Sequence, residues 1–352
     1  MRKVTIVVPV LMTSCQVSEN RNSGPSSAQT TMMPSAIPKA PVLPASLVIV
    51  FEKPSNLSPI ETAGLRLAMG SIIAGKMMPM AGPLRSVEIV RVRGRERGAD
   101  TDCAATEEPL EVRLHDRPFA VIMRTPGADR ELTAGFLLAE RVIRGGDDLG
   151  TIKHCDDPGA DHPENIVNVT LTDGSADAID RLMADRRQVM TNSSCGLCGR
   201  RTIESLVADA EPIRSGWSIA AATVSMLPLR LRARQTVFDE TGGLHAAGLF
   251  TRGGELVDVA EDVGRHNAVD KIVGRMLMRD ALPLSDHVLC VSGRTSFEIV
   301  QKAIFAGVPI VAAVSAPSSL AIDLAQECGV TLVGFIRGDS FNVYAHPQRI
   351  EG

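Results

Sequence analysis

Two thiols stand two residues apart in Ser193-Ser194-Cys195-Gly196-Leu197-Cys198-Gly199. Small residues flank them, so the sulfur atoms are accessible and the backbone can bend freely. Arg200-Arg201-Thr202-Ile203-Glu204-Ser205-Leu206-Val207 follows directly and reads as a helix start. A thiol at a helix N-terminus beside guanidinium groups has its thiolate favoured, and the thiolate is the nucleophile. Cys195 and Cys198 are therefore the candidate reactive residues. The C-x-x-C spacing alone is shared by dithiol redox sites and zinc knuckles.

A second set of candidates lies near the C-terminus. Ser292-Gly293-Arg294-Thr295, Ser315-Ala316-Pro317-Ser318-Ser319 and Phe335-Ile336-Arg337-Gly338-Asp339-Ser340 each follow an apolar run. Two of the three carry an arginine, and two precede predicted helices, whose free N–H groups favour phosphate. Glu261-Asp262-Val263-Gly264-Arg265-His266-Asn267 could reach the same rim. Together these segments suit a phosphorylated, nucleotide-like ligand. Ordinary turn chemistry also favours Gly, Ser and Asp, so one such loop would carry little weight.

The elements that must position these residues follow from periodicity. Residues 16 to about 60 are rich in Ser, Pro, Asn and Thr and read as disordered. Arg2-Lys3 and the short apolar run to Met12 mimic a signal peptide, but Pro9 interrupts it. Met69, Met77, Met78 and Met80 point to a chain start near Met80, making residues 1–85 an extension. Strands are predicted over 86–92, 110–114, 119–124 and 166–171, with helices over 131–143 and 176–185. Residues 86–215 thus read as an α+β domain carrying the C-x-x-C loop.

Residues 216–352 read differently. A helix over 223–234 is expected to break at Pro228, and a hairpin spans 244–259 around Gly253-Gly254. A helix over 265–278 leads into strands at 287–292, 309–314 and 330–336. Helices at 295–306 and 318–328 alternate with them, the first opening on a capping box, Thr295-Ser296-Phe297-Glu298. A last strand over 341–344 is expected to be antiparallel. Strand–helix–strand–helix–strand with short links means an α/β domain built on a parallel sheet, whose ligands sit beyond the strands' carboxyl ends.

Composition narrows the classes. The 352 residues allow two or three domains, and 44% hydrophobic content supports a sizeable core. A net charge of -4 argues against a general nucleic-acid binder. No apolar run is long enough for a membrane helix. Seven cysteines, five of them scattered singly, make a poor disulfide framework and fit a reducing, cytoplasmic location. Nine arginines against four acids between Arg181 and Arg234 surround the thiols with positive charge. That is an ordinary solvated face or a surface for an anionic partner.

With these residues assembled, the chain resembles the FdhD family of sulfur carriers required for formate dehydrogenase activity. The resemblance rests on residues 193–199, on Glu261-Asp262-Val263-Gly264-Arg265-His266-Asn267-Ala268-Val269-Asp270-Lys271, and on residues 292–302. Pro309, residues 315–321 and the run from Gly334-Phe335 to Tyr344 extend it, so that it covers roughly 86 to 352. The resemblance implies a persulfide on Cys195, partnered by Cys198, loaded by a cysteine desulfurase. It implies delivery of that sulfur to a molybdenum cofactor carrying two pterin guanine dinucleotides, for formate dehydrogenase. It implies a cytidine deaminase-like second domain and a homodimer. Phe335, Ile336, Arg337, Gly338, Asp339 and Ser340 match the family's cofactor segment, and Ser292, Gly293 and Arg294 join them on the rim. GDP should mimic the cofactor.

Three rivals share parts of this pattern. A zinc deaminase needs H-x-E and then P-C-x-x-C, whereas His245-Ala246-Ala247 lacks the glutamate and the thiols come first. Structural zinc needs four ligands, and no second C-x-x-C or paired histidine exists; His154, Cys155 and His162 read as a polar loop. No zinc is therefore expected. A thioredoxin-like enzyme would place the thiols after the first strand of a βαβ unit, and no such unit surrounds them. Cys290 and Cys328 read as core, and His266 as a residue that holds its loop by hydrogen bonds.

Overall fold

A hairpin of two ten-residue strands, β1 (Leu84–Arg93) and β2 (Glu96–Ala105), opens the described part of the chain. The structure is a computed structural model, and it describes residues 82–157, 159–172 and 212–352. The expected extension before residue 82, the helix over 176–185 and the C-x-x-C loop lie outside these residues. β1 begins two residues before the predicted start of order. β2 was not anticipated: Glu96 to Asp102 has Ala99 as its one apolar side chain and is exposed on both faces, so it carries no alternation.

β3 (Glu108–Leu114) and β4 (Arg117–Arg124) form the predicted second hairpin. Its two-residue turn places His115 and Asp116 at positive φ, 49° and 64°, the geometry that matches strand twist. Asn168 holds the turn by accepting from the Asp116 N–H at 2.9 Å. With β5 (Leu149–His154) and β6 (Ile166–Leu171) these strands make a sheet of order β4-β3-β6-β5. The predicted polar loop holding His154 and Cys155 is in part strand β5, which ends at His154. Between β4 and β5 runs α1 (Asp129–Ala139), with Asp129 and Glu131 in its first turn, where the helix dipole favours acids. It stops four residues sooner than predicted, because Arg141 turns to φ 56°. Ile143 still reaches the core. Arg124, wholly buried, donates two 2.9 Å bonds to Asp129 and one of 2.8 Å to Asn165, tying strand, helix and following turn together.

The second part begins with β7 (Ile219–Ala220) and α2 (Ala221–Arg232). α2 runs through Pro228 without the predicted break; Val224, Leu227 and Leu231 are buried on both sides of the proline, and that packing offsets the missing hydrogen bond. A short α3 (Thr236–Thr241) leads to β8 (His245–Thr251) and β9 (Leu256–Asp262). Then come α4 (Arg265–Met278), β10 (His287–Val291), α5 (Phe297–Phe305), β11 (Ile310–Ala313) and α6 (Ser319–Cys328). β12 (Thr331–Arg337) and β13 (Ser340–Ala345) finish the sheet, whose order is β13-β12-β11-β10-β8-β9. β10, β11 and β12 are parallel, as the alternation predicted; β8, β9 and β13 run antiparallel to their neighbours. A two-residue β14 (Ile350–Glu351) pairs with β7.

One buried cluster joins the two larger sheets: Leu110, Val112, Leu132 and Leu137 share it with Val269, Leu289, Val311 and Leu332. A second cluster, with Val224, Leu227 and Leu231 of α2, covers the other face of the six-stranded sheet. Each such aliphatic side chain contributes about 1.5–3 kcal/mol by leaving water. α1 and α4 meet backbone to backbone. A Cβ on Gly135 would lie 2.1 Å from the Asp270 carbonyl oxygen, and one on Gly274 1.8 Å from that of Glu131. Only glycine fits at either position.

Candidate functional site

The carboxyl ends of β10, β11 and β12 carry the three predicted segments, and backbone hydrogen bonds join them into one rim. Thr295 N donates to the Ala316 oxygen at 3.1 Å, and Ser318 N to the Thr295 oxygen at 2.9 Å. Phe335 N donates to the Ser315 oxygen at 3.2 Å. A Cβ on Gly334 would come within 3.1 Å of both Pro317 and Ser315, so glycine permits this close approach. Residues 335–340 are not a free loop as predicted. They are the ends of β12 and β13, with a register irregularity between Gly334 and Arg337. Phe335 sits at φ 55°, a conformation that strains a bulky residue and concentrates at functional sites. Arg337 lies over its ring at 5.7 Å, and Phe335 is 37% exposed. Gly338, Asp339 and Ser340 are exposed beside them, whereas Ile336 points into the second core cluster.

The segment 261–267 does reach the rim, at its β8–β10 end. β8 is antiparallel to β10, so His245, its first residue, stands beside the carboxyl end of β10. Ser292 is tied there, its Oγ accepting from Ala246 N at 2.9 Å. Gly293 lies between His245 and Arg265: a Cβ on it would be 3.2 Å from one ring nitrogen and 3.8 Å from the arginine's Cδ. Arg294 is exposed.

Much of the same segment is structural. Asp262 is wholly buried and meets Lys271 at 2.7 Å. It also accepts from the N–H groups of Thr125 and Gly264 and from Asn267. Lys271 donates onward to the Thr125 oxygen at 2.8 Å, and Asn267 to the Met123 oxygen at 2.8 Å. These bonds fasten the end of β4 to the start of α4, and so one sheet to the other.

Below the rim lies a buried ionisable chain. His266 meets Ser296 Oγ at 3.0 Å through Nε2, and Glu298 Oε2 at 3.3 Å through Nδ1, too poorly aligned for a hydrogen bond. Glu298 reaches Lys302 at 3.5 Å, and Lys302 meets both Asp270 oxygens at 2.8 and 2.9 Å. Burial, then the charges of Lys302 and Arg265, push the His266 pKa down to about 3, so its ring is neutral at pH 7. Burial pushes the Asp270 carboxyl up to about 7 against the pull of Lys302. The lysine stays charged: burial opposes it, but Asp270 and Glu298 together outweigh that and raise its pKa. The predicted capping box does not form. α5 starts at Phe297 with no side-chain cap from Ser296, because Ser296 is taken by His266 and Glu298 by Lys302.

Cys195 and Cys198 lie outside the described residues. Cys290 and Cys328 are core, as their positions predicted, and burial pushes the Cys290 thiol up to about 12. His245 was weighed in the sequence only as a zinc ligand, and its place on the rim follows from β8 pairing against β10. The Lys302–Asp270 pair was also missed. A sequence signal did exist: Lys302 is a lone cation among Phe297, Ile299, Val300, Ala303 and Ile304, all buried.

The profile of the FdhD/NarQ family matches residues 105–351. The chain is 50% identical over 272 residues to a relative from Streptomyces coelicolor named "Sulfur carrier protein FdhD", covering 75% of this chain and 94% of the relative. It is 45% identical over 268 residues to one of the same name from Sulfolobus acidocaldarius, covering 76% and 99%. Its fold is similar to a crystal structure described as that of "a putative formate dehydrogenase accessory protein from Desulfotalea psychrophila". There the TM-score is 0.60 at 25% identity, over 76% of this chain and 99% of that one. The match over residues 105–351, with relatives this similar, makes the chain a member of the FdhD/NarQ family.

Proposed function

We propose that this protein carries sulfur on Cys195 from a cysteine desulfurase to a molybdenum cofactor bearing two pterin guanine dinucleotides, for formate dehydrogenase. The observation that carries the reading is the continuous rim at the strand ends. There Arg337, Phe335, Arg294 and the backbone of three joined segments face solvent, in the place where open α/β sheets bind nucleotides. Membership in a family whose relatives are named sulfur carriers supports the sulfur chemistry. Loading is an exchange. The Cys195 thiolate attacks the outer sulfur of the desulfurase persulfide, the enzyme's own thiolate leaves, and an S–SH group remains on Cys195. The strand order β9-β8-β10-β11-β12 supports a cytidine deaminase-like reading of residues 216–352. Homodimerisation and a cytoplasmic location belong to the same proposal. Among the described residues no helix is long and apolar enough to cross a membrane.

Mass spectrometry after incubation with a desulfurase and cysteine tests the proposal. The peptide containing Cys195 should gain one sulfur atom, and Cys195→Ala should abolish the gain. Equal labelling of Cys290 or Cys328 would refute a dedicated carrier site.

A further inference from the structure

Two arginines and a histidine come together at Gly293, and the charge of Arg294 reaches His245 as that of Arg265 does. Arg265 and His245 flank the glycine, and Arg294 follows it in sequence. Among the described residues, none of the three side chains has a hydrogen-bond or ion-pair partner. The Nε of Arg265 is buried and unbonded. An unsatisfied guanidinium N–H away from water costs free energy that a ligand oxygen would recover. Two carboxylates act on this cluster: Asp262 is fully engaged by Lys271, Thr125, Gly264 and Asn267, and Glu298, on which the Arg265 charge acts, reaches Lys302 at 3.5 Å. Arg265 is also the first residue of the fourteen-residue α4, whose N-terminal field adds to the positive potential.

We infer that His245, Arg265 and Arg294 form an oxyanion pocket for a phosphate or pyrophosphate group, and that filling it draws a proton onto His245. The pocket is separate from the segment 335–340. Three inter-strand steps, from β8 across β10 and β11 to β12, lie between them, roughly 15 Å at the usual spacing. The inference rests on the reading of the rim as a nucleotide site for the identity of the ligand. His245 is faced by Arg265 and His266 of α4, by Arg294 and by Asp262 at the end of β9. Burial first, then Arg265 and Arg294, hold its pKa below the usual histidine value against the pull of Asp262. An anion placed between the arginines reverses their effect. The bound pKa then exceeds the free one, so affinity is greatest at low pH and falls as pH rises between the two values.

Calorimetry with GDP and with inorganic pyrophosphate, on the full chain and in buffers of different ionisation heat, tests this. Arg265→Ala and Arg294→Ala should each weaken both ligands about tenfold or more, with Arg265→Lys intermediate. His245→Gln should bind more weakly and take up fewer protons than wild type. That difference cancels the ligands' own titration. Weaker pyrophosphate with unchanged GDP would overturn the nucleotide assignment in favour of a free oxyanion. If Arg337→Ala weakens GDP while the His245, Arg265 and Arg294 variants match wild type, the pocket is refuted and the rim reading stands. If wild type binds no GDP, the rim reading itself fails. Should Arg265→Ala not fold, Arg294→Ala, at an exposed position, decides the matter alone.

Discussion

Charged residues on α4 and α5 and in the segments that lead into them fall into two populations that differ in their partners. Asp262 with Lys271, and Asp270 with Lys302, lie in the interior, and each of these four meets its opposite charge within 3 Å. Arg265, one step along the chain from His266, stands at the rim with Arg294 and makes no ion-pair contact among the described residues, although the charge of Glu298 reaches it. Paired interior charges fix the arrangement of the sheets, whereas unpaired rim charges leave a demand that a ligand can meet. Breaking the first should cost stability and leave ligand chemistry secondary. Breaking the second should cost affinity and leave stability alone.

The largest effect is expected inside. Lys302→Met leaves Asp270 buried without its cation and should destabilise the fold by about 3–5 kcal/mol in denaturant titration. Adding Asp270→Leu should recover much of the loss, since a buried pair is worth little against well-packed apolar groups. A double variant no better than the single would mean that the pair has a role beyond neutralising itself. At the rim, Arg337→Ala should leave the melting temperature unchanged. It should weaken GDP by something on the order of 1.5–3 kcal/mol, the scale of a charged hydrogen bond. Persulfide loading should be unaffected. Lost loading with intact GDP affinity would assign the rim to the desulfurase instead.

The smallest effect lies at the boundary of the two populations. His266 is neutral in the fold, with its pKa depressed from 6.5 to about 3. Below pH 6.5 the unfolded chain binds a proton that the folded chain refuses. Stability from this group is therefore full above pH 6.5 and is lost as pH falls toward 3. Asp270 acts oppositely: raised from 3.8 to about 7, it favours the fold at low pH and loses that contribution as pH rises through the window. The difference between wild type and His266→Gln isolates the histidine. The variant should lose less stability between pH 6.5 and 5, by on the order of 1–2 kcal/mol, a pKa unit being worth about 1.4. Identical slopes would show that the ring is hydrated.

The parallel strands were legible because Val288 to Val291 and Leu332 and Val333 are buried apolar runs bounded by glycine and proline. β2 was not, because its ten residues are held by pairing to β1 and carry no apolar face. For the site, the three segments could be seen one at a time. Their union could not, since it depends on backbone bonds such as Thr295 to Ala316, which no side chain announces. Charge pairing was equally hidden. Arg265 and Lys271 look alike as cations on one helix, and only the packing of the ends of β9 and β4 against that helix decides which finds a partner.

The contact between Gly135 and Gly274 has a consequence for recognition. At these two glycines backbone lies against backbone, with no side-chain rotamer between them, and neither helix can roll or slide there without a hard clash. Arg265 stands on the same rod as Gly274, two to three turns away. Its Cα is thereby tied to a helix whose contact with α1 is fixed at that point by backbone atoms. A group binding at the first turn of α4 meets a receptor already arranged, so little of its interaction energy is consumed in ordering the protein.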